Sequence, residues 1–375
     1  MFSVALKFIL YDKIRSLMTL AGVVFSVSLI FAQMGIYSGL METSSIIIDN
    51  TPGDIWITSK NNKNFDFSQS IPEYIRDHAL STKGVESAEN LIVTWGVIKQ
   101  KEGGSEQVEI IGYNPDSGIG APWSMKEGHA KAVKNGNFMI VDDSSKQRLG
   151  EITVGDYRDV LSRRLQVVGI SEGIRSFTTA PYIFTSYTTA QQIAGFVGES
   201  KTVFVIAKVA PGYSKREVKE NLSKRLKGVD IYTQEEFSRK TRLYWTIETG
   251  VGFSFLLTIV ISFLVGILIV GQTIYNSTME HIKEFGTLKA LGAENSEIYK
   301  IIFSQSMITA LLGYTISLII ILFSAKLFES LGTVMVVQTW TNLLVLALTL
   351  IMCLSSAAVS IRRIKNIDPA ILFRG

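Results

Sequence analysis

Few residues in this chain are placed to do chemistry of their own. Adjacent Asp142 and Asp143 come nearest to the paired carboxylates of general acid–base catalysis. No partner histidine or metal pattern accompanies them, so a solvated strand end is the plainer reading. His78, His129 and His281 are scattered, whereas a metal site needs several ligands at suitable spacing. The single cysteine, Cys353, permits no intrachain disulfide and sits in an apolar run, where it reads as a small packing residue. The patterns G-x-S-x-G, H-E-x-x-H and G-x-x-x-x-G-K-[ST] are all absent. The expectation is a chain that is not an enzyme, holds no metal or cofactor, and leaves any ATP to a separate polypeptide. A net charge of +4 is too small to imply nucleic acid.

Spacing does offer contact surfaces. Between Ile274 and Ile298, the residues Met279, Ile282, Phe285, Leu288 and Leu291 recur every third position, an apolar stripe on a short helix. Glu280, Lys283, Glu284 and Lys289 fall off the stripe. Gly292 is placed to end that helix, and Asn295 or Ser296 to cap the next. Two readings stay open: a helix resting on lipid headgroups, or a docking element for another protein. The basic stretch Lys215–Lys227 reads as a solvated amphipathic helix, with a partner surface as its alternative.

These contact residues are positioned by membrane helices. Mean hydropathy is +0.27 although 19% of residues are charged, a mixture expected of long apolar segments joined to an ordinary polar domain. A bilayer core takes roughly 20 apolar residues in a helix. Four segments qualify, at residues 17–41, 249–274, 299–323 and 343–361, and the only charge among them is Lys300, at an edge. Lys7, Lys13 and Arg15 precede the first, as in a signal peptide. Its apolar run is longer than the usual ~7–15 residues, however, and Met41-Glu42-Thr43 is a poor cleavage site. It is expected to be a retained anchor.

Short-loop charge sets the orientation. Lys and Arg concentrate in residues 1–16, 275–298 and 362–375, which are therefore expected in the cytoplasm. The 324–342 loop carries only Lys326. Residues 42–248 would then lie outside a bacterial inner membrane. Span interiors without ionisable groups disfavour a proton relay or gradient-driven transport. Gly35 and Gly39 form GxxxG in the first span, and Ser262 and Gly266 a small-xxx-small pair in the second. These could make a dimer seam or pack within one subunit. Gln33 and Gln305 are expected to hydrogen-bond between helices.

The 42–248 segment reads as mixed α+β. Strands are expected near 54–58, 91–99, 107–112, 137–141, 164–170, 203–209 and 230–232, and helices at 71–80, 144–149 and 215–227. The order suggests two ferredoxin-like halves split by an insertion.

Glu284-Phe285-Gly286-Thr287-Leu288-Lys289-Ala290-Leu291-Gly292-Ala293 resembles the E-[IF]-G-x-L-[KR]-A-[LI]-G-A signature of FtsX/MacB-type (type VII) ABC transporter permeases. Arg15, Ser16, Leu17, Thr19 and Gly22 resemble that family's approach to its first helix. Arg362-Arg363-Ile364 through Asp368-Pro369-Ala370 resembles its R-R-I-x-x-x-D-P-A ending. VKNGNFMIVDDSSKQRLG and RLQVVGI resemble its periplasmic core domain. The resemblance implies a four-helix permease with a large α+β MacB-like domain between its first two helices. It implies action as a dimer, with itself or with a paralogous permease, and a separate cytoplasmic ABC ATPase bound by Glu284–Ala293. The tail Asp368–Phe373 looks most like DevC-type exporter permeases, which work with a membrane-fusion adaptor and a TolC-like outer-membrane channel. The family also contains FtsX-like signal transducers that move no substrate.

Overall fold

The computed structural model describes residues 11, 13–101, 103–178, 180–195, 200–280, 284, 286–287, 292–330 and 334–364. The chain divides into two compact units. One holds residues 1–39 and 251–375, the other residues 40–250. The first apolar helix, α1, runs Lys13–Ser44, well beyond the expected 17–41. Helical hydrogen bonding does not stop where the apolar run stops.

In the inserted domain, α2 (Ile46–Asn50) leads into β1 (Ile55–Ser59), followed by β2 (Ile71–Pro72), α3 (Tyr74–Leu80) and β3 (Val85–Lys99). The expected helix from Ile71 is thus shortened. Ile71 and Pro72 pair instead with Thr202 and Lys201. Near the other end of the domain stand β10 (Lys201–Thr202), β11 (Phe204–Val209), α6 (Lys215–Arg225), β12 (Val229–Thr233) and α7 (Gln234–Leu243). The two halves join into one four-stranded antiparallel sheet of order β12-β1-β11-β3. In chain order that is 4-1-3-2, the arrangement of a single ferredoxin-like unit.

Alternation along β1 explains its two faces. Ile55 and Ile57 join Ile75 and Ala79 of α3 and Val218 and Leu222 of α6 in one core. Trp56, between them, faces the other way into a second core with Phe65, Phe204 and Phe237. Helix α6 buries only Val218 and Leu222, one turn apart. Two of its cations border that stripe and turn to acids: Lys215 reaches Asp54 at 3.2 Å and Lys219 reaches Glu236 at 2.6 Å.

The insertion contains β4 (Ser105–Tyr113), β5 (Met125–Glu127), β6 (Phe138–Asp142), α4 (Lys146–Leu149), β7 (Tyr157–Val160), β8 (Arg163–Ser171), β9 (Tyr182–Ser186) and α5 (Tyr187–Ile193). The second half of β3 pairs with β4, and the ladder continues through β9, β6, β8 and β7. β7 returns to β3 where Ile98 meets Val160. Six strands therefore close on themselves, which removes exposed strand edges. Met139, Val141, Leu165, Val167 and Ile183 contribute to the core.

The other unit comprises α1, α8 (Val251–Glu280), α9 (Asn295–Ser330) and α10 (Thr339–Ile364). All four are long and apolar enough to cross a membrane. The 36 residues of α9 span ~54 Å at 1.5 Å per residue, so its ends must project beyond a ~30 Å hydrocarbon core. Val23, Val27, Ile30, Phe31 and Met34 of α1 pack with Val270, Ala310, Val345 and Met352. Their spacing follows one helical face. Cys353 is buried in the same cluster.

Candidate functional site

The segment joining α8 to α9 lies only partly within the described residues. Phe285, Leu288, Lys289, Ala290 and Leu291 fall outside them, as do His281, Ile282 and Lys283. Glu284, Gly286 and Thr287 have helical backbone, with Glu284 and Thr287 exposed. Gly292 adopts φ +97°, a left-handed conformation that an L side chain resists and that commonly ends a helix. The cap of α9 falls one residue earlier than expected. Asn295 and Ser296 lie inside the helix, and the Glu297 carboxylate accepts from the Glu294 amide at 3.3 Å. Glutamate reaches back across a first turn in this way in half of a capping box.

The small residues of the spans let backbones approach within one chain. A Cβ on Gly35 would stand 2.8 Å from Met335 Cγ, and one on Gly39 would overlap the Val334 carbonyl. The Val336 amide donates to Gly35 O at 3.0 Å. Gly266 faces Met352 Sδ and Ser26, and Ser262 is buried with its hydroxyl turned back to Thr258 O. Serines tie neighbouring helices: Ser317 Oγ donates to Val24 O at 3.1 Å and Ser356 Oγ to Ile267 O at 3.0 Å. Gln33 and Gln305, expected to form such bonds, make no hydrogen bond among the described residues. Helix α8 is the least covered of the four. In its most apolar stretch 17% is buried, against 33% in the others, so Phe253, Leu257, Leu264 and Leu268 are left facing outward.

In the inserted domain the acidic pair proves structural. Asp142 is buried, not solvated. It accepts hydrogen bonds from the amides of Ser144 and Ile174 and the hydroxyls of Ser144 and Ser171. Asp143 turns outward to Lys126 and Lys146, whose ammonium groups hold its carboxyl below the usual range. His78 packs against Tyr74 and His129 precedes a single 3-10 turn. Among the described residues no group of three or more acids, histidines or cysteines could hold a metal ion.

A different pair of acids is buried together. Glu109 on β4 is fully enclosed, and neither carboxylate oxygen has a partner among the described residues. Its neighbours across the sheet are Trp95 and Tyr182. Burial, reinforced by the charge of Asp66, pushes the Glu109 pKa well up. Asp66 is itself raised to about 6 by burial, although Trp245 Nε1 donates to Oδ2 at 3.1 Å and opposes the shift. Trp95 Nε1 donates to Asp66 O at 3.0 Å. Trp245 belongs to a π-helical turn, Tyr244–Glu248, and packs 4.3 Å from Phe177.

The two chain ends of this domain are laced together. Arg242 donates to Asp49 Oδ2 at 2.6 Å and to Ser45 Oγ at 2.8 Å. Gln234 Nε2 donates to the carbonyls of Ile48, Asp49 and Thr51. The first and last elements of the domain are thus hydrogen-bonded directly to each other.

Four long apolar helices, with a large mixed α/β domain between the first and second, define a multi-pass membrane protein carrying a periplasmic-type domain. Residues 16–225 match the MacB-like periplasmic core domain, and residues 255–369 match the FtsX-like permease C-terminal region. The chain belongs to the FtsX/MacB-type ABC transporter permease family. It is a non-catalytic transport subunit, and such a permease implies a partner ATPase. An uncharacterised ABC transporter permease of Mycobacterium tuberculosis is 22% identical over 374 residues, 99% of each chain. One of Methanocaldococcus jannaschii is 29% identical over 200 residues, 51% of this chain. There the match spans about half of the relative, 49% of its length. The periplasmic region of MacB from Actinobacillus actinomycetemcomitans superposes with a TM-score of 0.40 at 13% identity, covering 52% of this chain and 96% of that one. The extracellular domain of a noncanonic ABC-type transporter from Gram-positive bacteria gives 0.36 at 8% identity, covering 48% and 98%.

Proposed function

We propose that this permease passes the motion of a separate cytoplasmic ABC ATPase through the 275–298 segment to an extracytoplasmic domain, which acts on a substrate outside the membrane. The carrying observation is the segment between α8 and α9. It joins two membrane helices, exposes Glu284 and Thr287, and ends on the left-handed Gly292. Closure of the ATPase would tilt α8 and α9 together. The Arg242–Asp49 clasp would make the domain answer as a rigid body. ATP stays on the partner, and the permease contributes no cofactor. Both chain termini are cytoplasmic in this reading, and the unit works as a dimer, with itself or with a paralogue. The DevC-like tail, outside the described residues, favours a membrane-fusion adaptor and an outer-membrane channel as further partners.

Orientation and coupling are tested separately. With Cys353 replaced by alanine, Thr287→Cys should react with an impermeant maleimide in inverted vesicles but not in intact cells. Gly286→Trp should abolish co-purification of the ATPase. Labelling from outside, or an undiminished ATPase complex, would overturn the proposal. Substrate movement into vesicles containing the permease, its ATPase and an adaptor separates a transporter from a pure signal transducer.

A further inference from the structure

A basic cavity of about 650 Å³ opens on the inserted domain, within the size range of small-molecule sites. Four cations line it, Lys63, Lys219, Arg239 and Lys240, against two carboxylates, Glu236 and Glu248. Two of the cations are neutralised: Lys63 pairs with Glu248 and Lys219 with Glu236, both at 2.6 Å. The other two face no carboxylate partner at ion-pair distance. Lys240 Nζ donates to the Tyr232 hydroxyl at 2.7 Å and lies 4.7 Å from that ring's centroid. Exposed Arg239 makes no ion pair or hydrogen bond among the described residues. The lining therefore carries two more cations than carboxylates, and Arg239 acts on Glu236 only at longer range.

The rest of the lining combines Asn61, Asn62, Tyr232 and Tyr244 with two aliphatic side chains. Leu243 and Ile247 border the same cavity while remaining 47% and 69% exposed. Soluble surfaces scatter such residues singly, but here they continue the helical run that carries Arg239 and Lys240. The chain goes from cations at 239–240, to apolar side chains at 243–247, to the apolar helix α8 at Val251. Ile247 precedes Val251 by only four residues, so chain length alone keeps it within ~14 Å of the start of that helix.

We infer that this cavity binds the anionic phosphate headgroup of a membrane lipid, with Arg239 and Lys240 on the phosphate and Leu243 and Ile247 against the start of the acyl chains. A free phosphate ion would satisfy the two cations but would leave Leu243 and Ile247 wet. An amphiphile satisfies both. Guanidinium and ammonium groups near a bilayer each favour an anionic lipid, and the apolar lip adds hydrophobic contact. The inference does not depend on transport or on ATPase coupling.

The test uses the full-length protein in detergent, titrated with dioleoylphosphatidylglycerol, dioleoylphosphatidylcholine or inorganic phosphate. Bound lipid is counted by native mass spectrometry. Phosphatidylglycerol should be retained in preference to phosphatidylcholine, and inorganic phosphate should not displace it. Arg239→Gln with Lys240→Gln should weaken phosphatidylglycerol about tenfold or more. Arg239→Gln alone, at an exposed side chain, should weaken it by a smaller factor and keeps the test open if the double variant misfolds. Leu243→Ser with Ile247→Ser should also weaken retention. Equal binding of the two lipids, displacement by inorganic phosphate, or full retention by Arg239→Gln would overturn the assignment. The ATPase complex should survive all these substitutions, which separates this result from a failure of the coupling proposal.

Discussion

Replacing Glu109 by glutamine isolates the energetic cost of one buried acid. In the unfolded chain this carboxyl titrates near ~4.3, its ordinary value. In the folded domain burial raises its pKa, and the neighbouring Asp66 raises it further. Below about pH 4 both states hold the proton and nothing is lost. As pH rises, the unfolded chain releases its proton while the folded domain keeps it, so stability falls. For Asp66, raised to about 6, the loss runs between the two pKa values and then levels off. The Glu109 contribution continues further upward, and the two acids titrate as a coupled pair. Holding Glu109 protonated at pH 7 costs about 4 kcal/mol at most. Glu109→Gln removes that cost. At 2–4 °C per kcal/mol for a domain of this size, its unfolding midpoint should rise by up to about 8–16 °C at pH 7.5. At pH 4.5 the gain should nearly vanish. Tryptophan fluorescence during heating of the full chain in detergent is the natural assay, because Trp95 and Trp245 both hydrogen-bond to Asp66. An equal shift at both pH values, or a lower midpoint at pH 7.5, would refute the reasoning.

Among the spans, Gly39→Ala should destabilise more than Gly35→Ala. The first Cβ meets a backbone carbonyl, the second only the flexible side chain of Met335. A difference of about 1–3 kcal/mol should appear in thermal aggregation of the solubilised protein. Asp142→Ala should cost about 2–3 kcal/mol, because it orphans buried donors around Ser144, Ser171 and Ile174. Urea unfolding of the full chain in detergent checks it, and Asp143→Ala should be milder. Arg242→Gln, at a pair 42% and 34% exposed, should cost no more than about 1 kcal/mol of stability. It should nevertheless lower transport per ATP hydrolysed if the clasp relays motion, as vesicles carrying the complete transporter would reveal.

Whether a feature could be read in the sequence depended on whether its environment matched the assumption behind the pattern. Four apolar runs are unambiguous because lipid tolerates little else, and the strands at 55–59 and 204–209 show because apolar and β-branched residues dominate them, with only Ser59 and Lys208 breaking the pattern. Their order even suggested the ferredoxin-like halves. The strand Tyr157–Val160 is missed because two of its four residues are charged. Arg158 nonetheless lies buried, donating to the carbonyls of Tyr157 and Glu151. Glu109 is the sharper case. In Gln107–Gly112, period-two alternation sends Val108 and Ile110 inward and Glu109 to water. That inference needs one face of the strand to be wet, and from Val108 to Tyr113 neither face is. Asp66, which acts on Glu109, and Tyr182, its neighbour across the sheet, are distant in sequence, so no local window contains them. The basic cavity is hidden for the same reason: Lys63, Lys219 and Arg239 belong to three separate segments. An acid in a strand with a second covered face, and cations gathered from distant segments, are features that only tertiary contact creates. They are also where this permease departs from what its membrane pattern alone requires.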